Sequence, residues 1–153
     1  MTAPARSPEQ RRRDVLERLE NDVDAWVATA DPETGTPYLV PLSFLWDGTS
    51  LWLATPASSP TGRNLRSTGR VRLGIGPTRD VVLIEGTADA LTADELPEGL
   101  GEAFAAGTGF DPREEAGAYL YYRVSPDRLQ AWREANELKG RDLMRGGQWT
   151  VGG

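Results

Sequence analysis

The chain has 153 residues and a net charge of −6, with 39% hydrophobic and 26% charged residues, the proportions of one globular domain. It contains no Cys and no His, which excludes disulfides, iron–sulfur clusters, Cys or His metal centres and thiolate or imidazole catalysis. Sixteen Arg and one Lys against 23 acidic residues argue against a broad nucleic-acid-binding face.

Ser7-Pro8-Glu9-Gln10 is a helix start: Ser7 caps, Pro8 takes the first helical position, and Gln10 completes a capping box. Val15, Leu16 and Leu19 follow at helical spacing, so a helix is expected over 8–21, preceded by a flexible segment, 1–7. Arg11-Arg12-Arg13 is interleaved with Glu9, Asp14, Glu17 and Glu20 and reads as a solvated helix face. No apolar run approaches the roughly 20 residues of a membrane span, and the opening residues lack the apolar stretch of a signal peptide. A cytoplasmic protein with no membrane or nucleic-acid partner is the expectation.

The period then changes to two. Residues 25–30 read as a strand, 31–37 as a turn, and 38–46 as a strand in which Pro41 marks an edge, a bulge or a ligand-facing position. Asp47-Gly48 turns the chain into a strand over 50–55. A loop of small hydroxyl residues, 56–62, leads to a short helix, 63–68, stopped by Gly69. Strands follow over 70–76 and 81–91, the second with Gly86 as a bulge. Thr92 to Glu95 is a second capping box opening a helical excursion to about 106. Residues 119–125 and 128–133 read as strands separated by a Pro126-Asp127 turn, and 134–153 as a polar tail with apolar anchors at Leu138, Leu143, Met144, Trp149 and Val151. Short turns between strands imply antiparallel pairing. The fold class is mainly β: a small antiparallel barrel of about six or seven strands with short flanking helices, in one domain over 1–153.

One segment carries chemistry. Thr55-Pro56-Ala57-Ser58-Ser59-Pro60-Thr61-Gly62-Arg63-Asn64-Leu65 follows a strand and opens a helix. Hydroxyls at Thr55, Ser58, Ser59 and Thr61, a helix N-terminus, and the cations Arg63 and Arg66 suit a phosphate. On residue types alone the same hydroxyls read first as a helix cap on the surface. Trp26, Trp46, Trp52 and Trp132 read as packing residues, and Trp149 as the one placed best to lie over a cofactor. Tyr119, Tyr121 and Tyr122 read as lining a strand face. Glu134 and Glu137 with Arg133 and Arg141 read as a surface salt-bridge network. Asp94, Glu95 and Glu98 are helix-start charges, so no metal site is expected, and no catalytic side chain is singled out.

Val40-Pro41-Leu42-Ser43-Phe44-Leu45-Trp46, Asp47-Gly48, Leu51-Trp52-Leu53-Ala54-Thr55, the Ser-rich loop with Arg63-Asn64-Leu65, Val71-Arg72-Leu73, Glu85-Gly86-Thr87 and Tyr121 to Arg128 together resemble the pyridoxamine 5′-phosphate oxidase-like superfamily over about residues 20–133. The ending from Trp132 to Trp149 looks like that of actinobacterial members. The resemblance implies a split β-barrel homodimer with FMN or the deazaflavin coenzyme F-420 at the subunit interface. It places the ring along Val40, Pro41, Leu42 and Ser43, and the phosphate on Thr55, Ser58, Ser59, Thr61, Gly62, Arg63 and Asn64. Many members carry an Arg-Lys pair where this chain has Pro60-Thr61. The implied activity is hydride transfer between the cofactor and a small conjugated substrate, which needs no titrating side chain. A non-catalytic cofactor- or tetrapyrrole-sequestering protein is the alternative.

Overall fold

The computed structural model describes residues 3–151; the chain ends, 1–2 and 152–153, of the segments expected to be flexible or tail-like lie outside the described residues. Helix α1, Pro8–Asn21, starts where its capping residues require: Ser7 Oγ accepts the Gln10 N–H and Pro8 opens the first turn. Strands β1 (Asp24–Ala30), β2 (Pro37–Ser43), β3 (Leu45–Trp46) and β4 (Leu51–Pro56) follow, then α2 (Pro60–Thr68), β5 (Arg70–Ile75), β6 (Val81–Leu91), α3 (Leu100–Thr108), β7 (Tyr119–Trp132), β8 (Asp142–Arg145) and β9 (Gln148–Trp149). The nine strands form one sheet in the order β2-β1-β5-β6-β7-β4-β3, with β8 added on β7 and β9 on β8. Every pairing is antiparallel. The edge strands β2 and β3 are separated in the chain by Phe44 alone. The sheet must therefore curl until its two edges meet, which produces a barrel split along β2 and β3.

The inside of the curl holds Val27, Leu53, Leu73, Ile84, Tyr122 and Val124, and α1 inserts Val15 and Leu19 among them. A smaller cluster lies on the other face of β4 and β7, where Leu100 and Phe104 of α3 cover Trp52, Ala54 and Tyr121. Strand β4 is thus buried on both faces, which explains its unbroken Leu-Trp-Leu-Ala run. Phe104 meets Tyr121 edge to face at 5.5 Å between centroids, so α3 is tied to the sheet rather than hung from it.

Four expectations need correction. Pro126-Asp127 does not turn the chain. Glu85 pairs with Arg128 and Gly86 with Pro126, so Asp127 is the extra residue of a bulge inside one 14-residue strand. Gly86 is required there, because a Cβ would lie 2.6 Å from the Ser125 carbonyl oxygen. The tail is not strand-free: β8 returns to pair with β7 and carries β9, raising the strand number to nine, and its Leu143 and Met144 are buried. The basic run is not wholly solvated either. Arg11 is only 4% exposed, and its guanidinium donates to the carbonyls of Ala131, Glu137, Lys139 and Gly140. Arg12 lies over the Trp149 ring at 4.8 Å.

Glu137, expected on the surface, is buried, and it ties Arg6 to the turn that follows β7. Its carboxylate accepts the Arg6 N–H (2.8 Å), the Arg6 guanidinium (2.8 and 3.0 Å) and the Arg133 N–H (2.8 Å). Arg6 also meets Asp14 at 3.0 Å, while Asp80 takes Arg18 at 2.9 Å and Arg133 at 3.4 Å.

Candidate functional site

The Ser-rich loop is built by its own cap. β4 ends at Pro56, and Ala57 N–H bonds the Ala118 carbonyl just before β7. Ser59 is the N-cap of α2: its hydroxyl donates to Pro56 O (2.9 Å) and accepts the Gly62 N–H (3.0 Å). With that proton committed, Thr55 Oγ1 is the donor in its 3.0 Å bond to Ser59 Oγ. Asn64 donates to Thr29 Oγ1 at 3.1 Å, a buried bond that fixes α2 to β1. Gly62 sits where the loop closes most tightly, since a Cβ there would lie 2.6 Å from Pro56 O and 2.9 Å from the Tyr122 hydroxyl.

The structure thus divides the residues expected around a phosphate. Thr55, Ser59 and Asn64 hold the loop together, and Thr61 and Gly62 are buried in its first helical turn. Ser58 and Arg63 are exposed, and so is Arg66 one turn on. The Arg63 guanidinium donates to Ser58 O (2.7 Å), and that of Arg66 to Gly62 O (3.3 Å) and Ala57 O. Both cations are steadied by carbonyls of the loop, and among the described residues neither meets a carboxylate within ion-pair distance. Beneath the loop the Tyr122 hydroxyl is buried without a hydrogen-bond partner. Burial pushes the phenol's pKa up, opposed by the nearby Arg66 guanidinium. Two guanidiniums with no ion-pair partner among the described residues, an exposed serine and a helix N-terminus form a donor set matched to a phosphate group.

Strand β2 provides a second element. It pairs on one side only, with Trp26 opposite Pro41 and Ala30 opposite Pro37. Neither proline can donate to the ladder, so both occupy its non-bonded positions and turn their backbone to the open edge. Residues 39, 41 and 43 share that set. Leu39 and Ser43 therefore present N–H and C=O groups, and Pro41 a C=O group, along the open side. Val40 and Leu42 point inward and pack on the core. A cavity of about 290 Å³ adjoins this edge, lined by Pro41, Leu42, Ser43, Ala54, Pro56, Phe104, Phe110 and Tyr119.

Trp149 belongs to another neighbourhood: it pairs with Met144 and lies under Arg12 of α1. Among the described residues no group of three or more His, Cys, Asp or Glu is placed to hold a metal, and no helix is long and apolar enough to cross a membrane.

A family model described as pyridoxamine 5′-phosphate oxidase matches residues 13–133. The chain belongs to this family. No match is found among curated proteins. Solved structures of the same fold include an F420 reductase, 19% identical, covering 74% of this chain and 93% of its own with a TM-score of 0.59. A FAD-binding protein from Mesorhizobium loti is 18% identical, covering 77% and 89% with a TM-score of 0.62. General Stress Protein 26 from Bacillus anthracis is 14% identical, covering 78% and 91% with a TM-score of 0.57. At such identities the likeness is one of fold. Tyr122, Phe104 and Phe110 join the expected residues only through tertiary structure; Tyr122 reaches Gly62 because β7 pairs with β4.

Proposed function

We propose that this chain is a flavin-type oxidoreductase that works as a homodimer, uses FMN or coenzyme F-420, and passes a hydride to or from a small conjugated substrate. The observation that carries the reading is the pair of guanidiniums on the α2 loop with no carboxylate partner among the described residues. Arg63, Arg66 and Ser58 would hold the phosphate, and the β2 backbone at Leu39, Pro41 and Ser43 would orient the ring edge. When bound, such a cofactor supplies the hydride chemistry, which fits a chain without His or Cys. The chain's own part is to neutralise the phosphate, fix the ring and exclude water. The lack of Cys suits the cytoplasm as the place of action.

The outer face of the sheet supports the dimer. Leu39 and Trp26 are 60% and 54% exposed, and Leu39 stands opposite Ala28 as Pro41 does opposite Trp26. This contiguous apolar patch beside the proposed ring position is the surface a second copy would cover. Leu39→Glu should yield monomers in sedimentation velocity and weaken cofactor binding along with dimerisation. A dimer unchanged by Leu39→Glu and by Trp26→Glu would place the contact elsewhere.

Fluorescence titration with FMN and with coenzyme F-420 tests the proposal directly. Arg63→Ala and Arg66→Ala should each weaken binding by about 1–2 kcal/mol, roughly tenfold in Kd, as for a hydrogen bond to a charged group. Failure of the wild-type protein to bind either cofactor overturns the proposal. Tight binding without turnover, against a panel of conjugated carbonyl compounds, would favour sequestration.

A further inference from the structure

The cavity beside β2 has a wall that the barrel strands alone do not provide. Phe104 comes from α3, Phe110 from the loop after it, and Tyr119 from the first residue of β7. All three belong to or border the excursion between β6 and β7. That excursion is rigidly attached: Phe104 is buried against Tyr121, Phe110 packs at a tilt against Tyr119 at 5.6 Å between centroids, and Thr108 Oγ1 donates to Phe104 O at 2.7 Å. Arg113 clasps Asp111 at 2.8 Å and Glu102 at 3.1 Å, which pairs these three charges with one another. The opposite wall is Pro41, Leu42 and Ser43, the stretch of β2 expected to carry the ring.

No Asp, Glu, Lys or Arg lines the cavity. A carboxylate or phosphate placed there would lose its hydration without gaining a cation, whereas an uncharged ring would gain contacts with flat aromatic and proline surfaces. A volume of about 290 Å³ suits one or two fused rings, near the lower bound of small-molecule pockets. We infer that this cavity is the substrate pocket, that Phe110 and Tyr119 are its specificity-determining residues, and that the substrate is an uncharged, planar, conjugated compound of one or two rings. The inference rests on the flavin-type reading, because adjacency to the β2 edge is what makes this cavity a substrate pocket. The cofactor's phosphate and the substrate's ring are then sorted by charge: the α2 loop offers unpaired cations and this cavity offers none.

Two probes with the same scaffold test this, 2-naphthaldehyde and 2-naphthoate, titrated calorimetrically into the full-length protein with and without FMN or coenzyme F-420. The aldehyde should bind at least about tenfold more tightly than the carboxylate, given the cost of burying an unpaired charge. Phe110→Ala and Tyr119→Ala should each weaken aldehyde binding by about tenfold, as the loss of a buried aromatic contact implies, and leave the cofactor Kd unchanged. Both side chains are half-buried and outside the two core clusters' fully buried sets, and a thermal melt of each variant verifies folding. Equal binding of the two probes overturns the inference, as does aldehyde binding untouched by both variants. A parallel loss of cofactor affinity in both variants also overturns it, by assigning the cavity to the cofactor ring while the flavin-type reading stands. Failure of wild-type protein to bind either cofactor is read in a separate arm and counts against the flavin-type reading itself.

Discussion

Gly62→Ala is expected to destabilise the protein by about 1–3 kcal/mol and to abolish cofactor binding at the α2 loop. Two effects oppose each other here. Gly62 lies inside α2, where Ala would be favoured by about 1 kcal/mol on intrinsic helix propensity. Against this, the added methyl would stand 2.6 Å from Pro56 O, 2.9 Å from the Tyr122 hydroxyl and 3.1 Å from Ser59 Oγ. The nearest atom is backbone, and the second belongs to a ring with no exposed surface, so neither can retreat cheaply. Overpacking of this kind typically costs about 1–3 kcal/mol, and here it also breaks the Ser59 cap, which is worth about 1 kcal/mol. Sterics therefore win over propensity. Urea denaturation gives the stability change, and the FMN and F-420 titrations give the binding loss. A variant as stable as wild type, or more stable, would show that the loop is not held as tightly as this geometry requires.

The same packing explains what of the site is legible in the sequence. Local rules suffice for α1, whose capping residues set its start and whose apolar spacing sets its extent, and for the hairpin turn at Asp47-Gly48. They also suffice for the α2 loop as a unit, because a strand, small hydroxyls, Gly and Arg follow one another within a dozen residues. They misplace the start of α2, expected at Arg63 and found at Pro60, because Ser59 rather than the loop's end is the cap. Local rules do not decide which hydroxyls face a ligand. Ser58 and Ser59 are neighbours of one type, yet Ser59 is consumed by the cap and Ser58 is exposed, a difference set by three-dimensional closure onto Pro56. Likewise, the residues joining the loop and the cavity from α3 and β7 are more than forty positions away. Pro126-Asp127 carries every local sign of a turn, and only pairing with Gly86 on the neighbouring strand makes it a bulge. Arg11 shows the same limit for charge: helix periodicity alone does not reveal that carbonyls near residues 131–140 wait to receive its guanidinium.

Glu137→Gln is expected to cost about 2–3 kcal/mol at neutral pH and to remove part of the protein's acid sensitivity. The carboxylate is 3% exposed and accepts bonds from Arg6 and from the Arg133 N–H. The Arg6 guanidinium is the main reason its pKa falls to about 2 from an ordinary 4.5, and the carboxylate in turn raises the pKa of Arg6. The folded state therefore keeps Glu137 ionised down to about pH 2, while the unfolded chain takes up that proton near pH 4.5. Over this interval the unfolded state binds more protons, so stability falls as pH falls, and above it the contribution is fully present. Removing one partner of a buried pair also leaves Arg6 facing a neutral amide, although Asp14 at 3.0 Å retains part of its compensation. Asp142 is likewise lowered to about 2, first by Gln130 and then by Arg145 and Arg128, so the variant keeps some acid sensitivity. Urea midpoints at pH 7, 4 and 2.5 measure both effects. The wild type should lose more stability than the variant between pH 7 and 2.5, and the two should converge at the acid end. Parallel curves would mean that Glu137 is not held ionised by Arg6, and that the leading segment is fastened to the barrel by something other than this pair.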